Sequence, residues 1–226
     1  MKFHERLVLI MTDYKKQLVE AGRRMKSSAL TVDTFGNISL RDPKSGLIYL
    51  TPSAMDYDDI KKSDIVVCDI DGNVIEGNRK PTIEKDLHFT VYRAREDVNA
   101  VLHTHPTYSL AFACLGEDIP LITDEAALIL MDRVRVAEYS LPGTMKLAKN
   151  CVEALGSISN ACLLRSHGAV CVGSNITRAF NAAFALEMTA QVYYMAKMMG
   201  SPAEIPASAA TALRDFAMFH YGQDKQ

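Results

Sequence analysis

The chain has 226 residues, 48% of them hydrophobic, enough to bury the core of one large domain or two small ones. Its 25 Lys and Arg stand against 27 Asp and Glu with no long run of one sign, which leaves no clustered basic surface for nucleic acid. No apolar run approaches the length of a membrane span, and the N-terminal MKFHERLVLIMTDYKKQ lacks the long apolar core of a secretion signal, so a soluble cytoplasmic protein is expected.

Residues 4–25 read as an amphipathic helix, with Leu7, Ile10, Met11, Tyr14, Leu18 and Met25 near helical spacing. TVDTFGNISLRD carries a short strand between turn residues, and SGLIYLTPS a second strand that ends in a polar turn. IVVCDIDGNVIEG reads as a hairpin around Asp71-Gly72-Asn73. A helix opens at Pro81 or Thr82 with Glu84 in its first turn. VNAVLHTH is a buried strand, and TYSLAFACLG a helix stopped by Gly116. RVRVAEYS is a further strand before a helix over 144–155. ACLLRSHGAVCVG is two strands interrupted at His167-Gly168, and helices follow over 176–199 and 206–220. The pattern is one mixed α/β domain over 1–226, with antiparallel pairing from the hairpin. The five cysteines, Cys68, Cys114, Cys151, Cys162 and Cys171, form no CxxC and read as buried free thiols of a reducing compartment.

The histidines carry the chemistry. His103 and His105 lie two apart at a strand end, so both point to one face, and Pro106 stops the strand behind them. His167 sits in a strand–turn–strand connection. Neutral imidazole suits zinc, and three such ligands with one open position make a catalytic metal site. His88, one turn after Glu84, is expected on the helix surface or behind the ligands, while His4 and His220 lie near the termini. Glu84 is either a helix-start dipole device or, beside a metal, an acid/base for a carbon-bound proton; spacing alone leaves both open. FGNIS, LTPSA and KPT offer backbone N–H groups and small hydroxyls suited to an anion, although each alone is an ordinary turn.

Together these segments resemble the class II aldolase/adducin family. They follow the family's order: Gly36-Asn37, Thr51-Pro52-Ser53, Pro81-Thr82 with Glu84, the HTHP of 103–106, and the SHG of 166–168. The resemblance implies a mixed, largely antiparallel central sheet between helix layers. It implies zinc, or another divalent ion such as manganese or cobalt, on His103, His105 and His167. Glu84 would be the catalytic acid/base, with substrate phosphate against Gly36, Asn37, Ser53 and Thr82. A Tyr-Gly pair in the family's tail, matched by Tyr221-Gly222, assists proton transfer. The implied activity is reversible cleavage of a small ketose 1-phosphate, such as L-fuculose 1-phosphate, to dihydroxyacetone phosphate and an aldehyde through a metal-stabilised enediolate. The implied assembly is a cyclic homotetramer with active sites at subunit interfaces, with no nucleic-acid or membrane partner. The same fold also supports pentulose-phosphate 4-epimerases, decarboxylases and a non-catalytic interaction module that has lost the metal ligands. The chain departs from the aldolase pattern at Ala54, where glycine is common, at Ile83, where a hydroxyl is common, and at Asp124, which stands in place of a tyrosine.

Overall fold

Alternation along the strands dictates the architecture. In Ala100–Thr104 (β5), Leu102 packs into one apolar cluster and Val101 into another, and in Gly168–Gly173 (β8) Cys171 separates from Val170 and Val172 in the same way. Strands that bury both faces must be covered by helices on both sides. The computed structural model, which describes residues 12–220, shows this arrangement.

The remaining strands are β1 (Asn37–Arg41), β2 (Ile48–Leu50), β3 (Val66–Cys68), β4 (Val74–Glu76), β6 (Val136–Ala137) and β7 (Ala161–Leu164). The eight form one sheet in the order β4-β3-β2-β1-β5-β8-β7-β6. Every pairing is antiparallel except β6 with β7. Helices α1 (Tyr14–Ser27), α3 (Thr107–Leu115), α4 (Asp124–Leu130) and α6 (Ile176–Met199) pack on one face, and α7 (Ala207–Phe219) lies against α4. Helices α2 (Lys85–Ala94) and α5 (Met145–Leu155) cover the other.

Most expected elements are present, with five differences. The helix expected over 4–25 starts only at Tyr14, because Asp13 is its N-cap and its side chain accepts from Lys16 N. Helix α2 starts at Lys85, which makes Glu84 its N-cap residue, because the backbone N–H of Glu84 is tied to Thr82 Oγ1 at 3.3 Å in a tight preceding turn. Helix α4 was not expected; its signal is Thr123, whose hydroxyl accepts from Ala126 N, followed by two acidic residues in the first turn. The strand expected over RVRVAEYS shrinks to Val136–Ala137, since only that dipeptide pairs with β7. Cys114 is exposed, contrary to the expectation of five buried thiols, because it lies on the solvent side of α3. The other four cysteines are buried and none is in a disulfide. His4, Leu7, Ile10, Met11 and Tyr221 lie outside the described residues.

Candidate metal centre

The strand register assembles the site. His103 on β5 pairs with Asn37 on β1 and with Val170 on β8, and cross-strand partners share a face. That face is the one covered by α2. Glu84 at the start of α2 and His88 one turn later therefore come down over Asn37 and His103. The turn between β7 and β8 brings in His167 from the far side of β5's neighbour.

His103, His105 and His167 converge with their candidate ligand atoms all within 4.8 Å of one another. His103 Nε2 lies 2.9 Å from His105 Nε2 and 3.3 Å from His167 Nε2. His103 Nδ1 lies 3.0 Å from the Ala169 carbonyl and donates to it, so in the neutral form that binds metal Nε2 is the lone pair, turned toward the other two rings. Around a tetrahedral zinc with Zn–N bonds of about 2.0–2.1 Å, ligand nitrogens stand about 3.3 Å apart. The His103–His167 separation has this value, the His103–His105 contact is shorter, and all three ligand atoms stay within 4.8 Å of one another. The donors present therefore fit a divalent ion.

Glu84 adjoins the cluster. Its Oε2 is 3.2 Å from His103 Nε2 and accepts from Asn37 Nδ2 at 2.9 Å. Its Oε1 lies 3.5 Å from His167 Nε2 and is buried without a hydrogen-bond partner, which leaves it open to a ligand. Burial pushes the Glu84 carboxyl up, but the charge and hydrogen bonds of His103, with His167 and Asn37, outweigh it and hold the group well below the usual range. Burial and the His103 charge push His105 down to about 3 and His167 down to about 4. Both are neutral imidazoles at neutral pH, the form that binds metal. Burial lowers His103, but the facing Glu84 carboxylate reverses the sign and raises it.

Two glycines allow the close approach. A Cβ on Gly168 would fall 2.5 Å from the Thr104 carbonyl, 3.0 Å from His105 Cδ2 and 3.2 Å from His103 Cε1. Gly36, at φ +72°, would place one 2.6 Å from the His103 carbonyl. Gly168→Ala is therefore expected to destabilise the fold by roughly 1–3 kcal/mol and to weaken metal binding, because the clash with backbone can be relieved only by separating β8 from the ligand strand. Thermal unfolding with and without zinc measures both effects; wild-type values for each would contradict the close-approach role.

The anion-loop residues lie along the same edge. Thr51 N–H donates to the Ile38 carbonyl, Thr82 N–H to the Thr51 carbonyl and Ser53 N–H to the Lys80 carbonyl, with Pro52 and Pro81 paired as a bridge. Thr82 and Asn37 are buried, Ser53 is half-buried, and the Asn37 amide is directed at Glu84. Ala54 takes φ +53°, a left-handed conformation that glycine adopts without strain, which accounts for glycine being common there. Ile83 and Asp124 are exposed. His88 is fully buried rather than on a helix surface, bonded to Asn37 and Ser39. The sequence reading missed Ser39 and Tyr92; the available signals were the spacing of Glu84, His88 and Tyr92 at i, i+4 and i+8 on one helix stripe, and of Asn37 and Ser39 at i, i+2 on one strand face. Phe35, exposed, stacks on His105 with ring centroids 5.8 Å apart.

Comparison with known proteins agrees with this geometry. Residues 16–194 match the class II aldolase and adducin N-terminal domain. A 5-deoxy-D-ribulose 1-phosphate aldolase from Bacillus thuringiensis serovar kurstaki is 38% identical over 88% of this chain and 92% of its own. An L-ribulose-5-phosphate 4-epimerase from Salmonella paratyphi B is 27% identical over 83% and 86%. A solved structure of an L-fuculose 1-phosphate aldolase superposes with a TM-score of 0.88 at 38% identity, covering 92% of this chain and 97% of that one. The chain belongs to the class II aldolase and adducin family.

Proposed function

We propose that the protein is a metal-dependent aldolase that reversibly cleaves a small ketose 1-phosphate to dihydroxyacetone phosphate and an aldehyde. The observation that carries this reading is the convergence of three imidazole nitrogens with one buried carboxylate, whose Oε2 and Oε1 lie 3.2 and 3.5 Å from the ligand atoms of His103 and His167. His103, His105 and His167 would hold a divalent ion, with zinc, manganese and cobalt as candidates. When bound, such an ion supplies Lewis-acid stabilisation of the negative charge that develops on the substrate oxygens as the carbon–carbon bond breaks.

The chain's own groups do the rest. In the synthetic direction the ionised Glu84 removes a proton from the donor carbon, and in cleavage it returns to that carbon the proton that the substrate's C4 hydroxyl gives up as the aldehyde forms. Its unpartnered Oε1 is the atom free to do so. Tyr221, outside the described residues, is assigned the proton on the aldehyde oxygen. We assign the phosphate to the Gly36 turn, the Asn37 amide and the Ser53 and Thr82 hydroxyls, with exposed Lys80 beside them. Intact histidines and Glu84 argue against the non-catalytic interaction module. Exposed Met195, Met198 and Met199 on α6 support an assembly, which we assign as a homotetramer. Four buried free thiols support a reducing, cytoplasmic setting. Among the described residues, no helix is long and apolar enough to cross a membrane.

The test compares ketose 1-phosphates with their unphosphorylated parents. We expect kcat/KM to favour the phosphorylated form by at least about 100-fold, since phosphate supplies remote binding energy that aligns the reacting carbons. Ser53→Ala should reduce that advantage; Asn37 is the poorer probe because its amide also holds Glu84. Equal turnover of both forms would remove the phosphate pocket and favour a decarboxylase. A 4-epimerase, favoured by the 27% identical relative, would interconvert pentulose phosphates without releasing triose phosphate.

A further inference from the structure

We infer that His88 is a positioning residue, which acts through Asn37 to pin one oxygen of Glu84 and leave the other to transfer the proton. The kinetic consequence rests on the aldolase reading; the hydrogen-bond assignment does not. Five side chains, all buried, form one continuous path from the sheet interior to the metal centre. Tyr92 Oη lies 2.8 Å from Ser39 Oγ, and Ser39 Oγ 2.6 Å from His88 Nδ1. His88 Nε2 lies 2.5 Å from Asn37 Oδ1, and Asn37 Nδ2 2.9 Å from Glu84 Oε2.

The chemistry of the end group fixes every proton on this path. A carboxylate oxygen only accepts, so the Asn37 amide must present its NH2 to Glu84 and its carbonyl to His88. His88 Nε2 must then be protonated. A fully buried imidazole stays neutral, because burial pushes it down to about 3 against the opposing pull of Glu84. Its Nδ1 is therefore an acceptor and takes the Ser39 hydroxyl proton. Ser39 in turn accepts from Tyr92, which leaves each group with one determined role. Arg41 anchors the far end, its Nη1 donating to the Tyr92 carbonyl at 3.0 Å with the guanidinium 5.0 Å from the ring centroid.

The path has a consequence at the reacting end. Asn37 cannot flip its amide without turning its carbonyl toward the carboxylate and breaking its bond to His88 at the same time. Glu84 Oε2 is thereby held, and rotation of the carboxylate is opposed from outside the site. Oε1, which none of the other four groups touches, stays turned toward His167. One N–H of Asn37 remains for a ligand. His88 touches neither a metal ligand's nitrogen nor Glu84, so its effect passes through Asn37.

The test uses zinc-loaded protein labelled with 15N-histidine. Long-range 15N–1H correlation should show His88 as the single Nε2–H tautomer, an assignment confirmed by loss of the signal in His88→Phe. His88→Phe should lower kcat by roughly 10–100-fold, the scale of a small misplacement of a reacting group, with KM within about twofold and zinc content unchanged. His88→Gln, whose amide keeps an N–H toward Asn37, should recover most of that loss. If His88→Phe does not fold, Ser39→Ala serves: it should keep the Nε2–H tautomer, which Asn37 fixes, loosen the imidazole and lower kcat at constant KM, and an unchanged kcat would overturn the inference. An Nδ1–H tautomer in the wild type overturns the inference. So does a folded His88→Phe with unchanged kcat, or with kcat, KM and zinc all lost together. Absence of ketose 1-phosphate cleavage by the wild type overturns the aldolase reading instead, while the tautomer decides the path independently.

Discussion

Glu84→Gln is expected to lower turnover by roughly 10²–10⁴, the usual contribution of a positioned acid/base, while metal content stays at the wild-type level. The substitution preserves volume and keeps an oxygen for the Asn37 amide, so the fold should be unaffected. What it removes is the group assigned to exchange a proton with carbon. The loss should appear in kcat rather than KM, because the interaction is made in the transition state. The carboxyl is held ionised by His103, His167 and Asn37 against its burial, which suits it to the base role in the synthetic direction. Near-normal turnover in a folded, metal-loaded Glu84→Gln protein would remove Glu84 from the chemistry.

The second large effect concerns the ligands. His167→Ala should weaken divalent-metal binding by at least about 100-fold, since even partners of a ligand change affinity by 10–100-fold. Removal of metal from the wild type with a chelator should abolish activity, and zinc, manganese or cobalt should restore it. His167 is the informative choice: it lies in a turn, with Ser166 at φ +54°, and is less deeply buried than His103, so the variant should still fold. Full activity in the presence of chelator, with no metal retained by the protein, would contradict the three-histidine site.

The histidine cluster that could hold a metal was legible in the sequence because alternation on a strand is a rigid rule. His103 and His105 at i and i+2 share a face whatever the surrounding fold, and the break at His167-Gly168 between apolar runs marked the second ligand-bearing turn. The mixed α/β class and its antiparallel pairing followed from the element pattern and the Asp71-Gly72-Asn73 hairpin, while the central sheet between helix layers was an implication of the family resemblance. What was not legible depends on register between distant strands. Asn37 lies opposite His103, and Ser39 opposite Val101, only because β1 pairs with β5 across some sixty intervening residues, and nothing local fixes that pairing. The burial of His88 has the same origin: its helical spacing from Glu84 is visible, but not which helix face meets the sheet. Helix α4 escaped because seven residues are too few for a helical period to stand out, although Thr123 and its acidic neighbours marked the start.

Deuterium exchange isolates the metal centre and Glu84 from the unknown aldehyde. Dihydroxyacetone phosphate incubated alone in D2O with metal-loaded protein should gain deuterium at its hydroxymethyl carbon, as Glu84 removes a carbon-bound proton and returns one from solvent. The exchange should vanish on metal removal and fall with Glu84→Gln by the same factor as turnover. No exchange by the metal-loaded wild type, or exchange that Glu84→Gln leaves unchanged, would contradict proton transfer by Glu84 at a three-histidine metal centre.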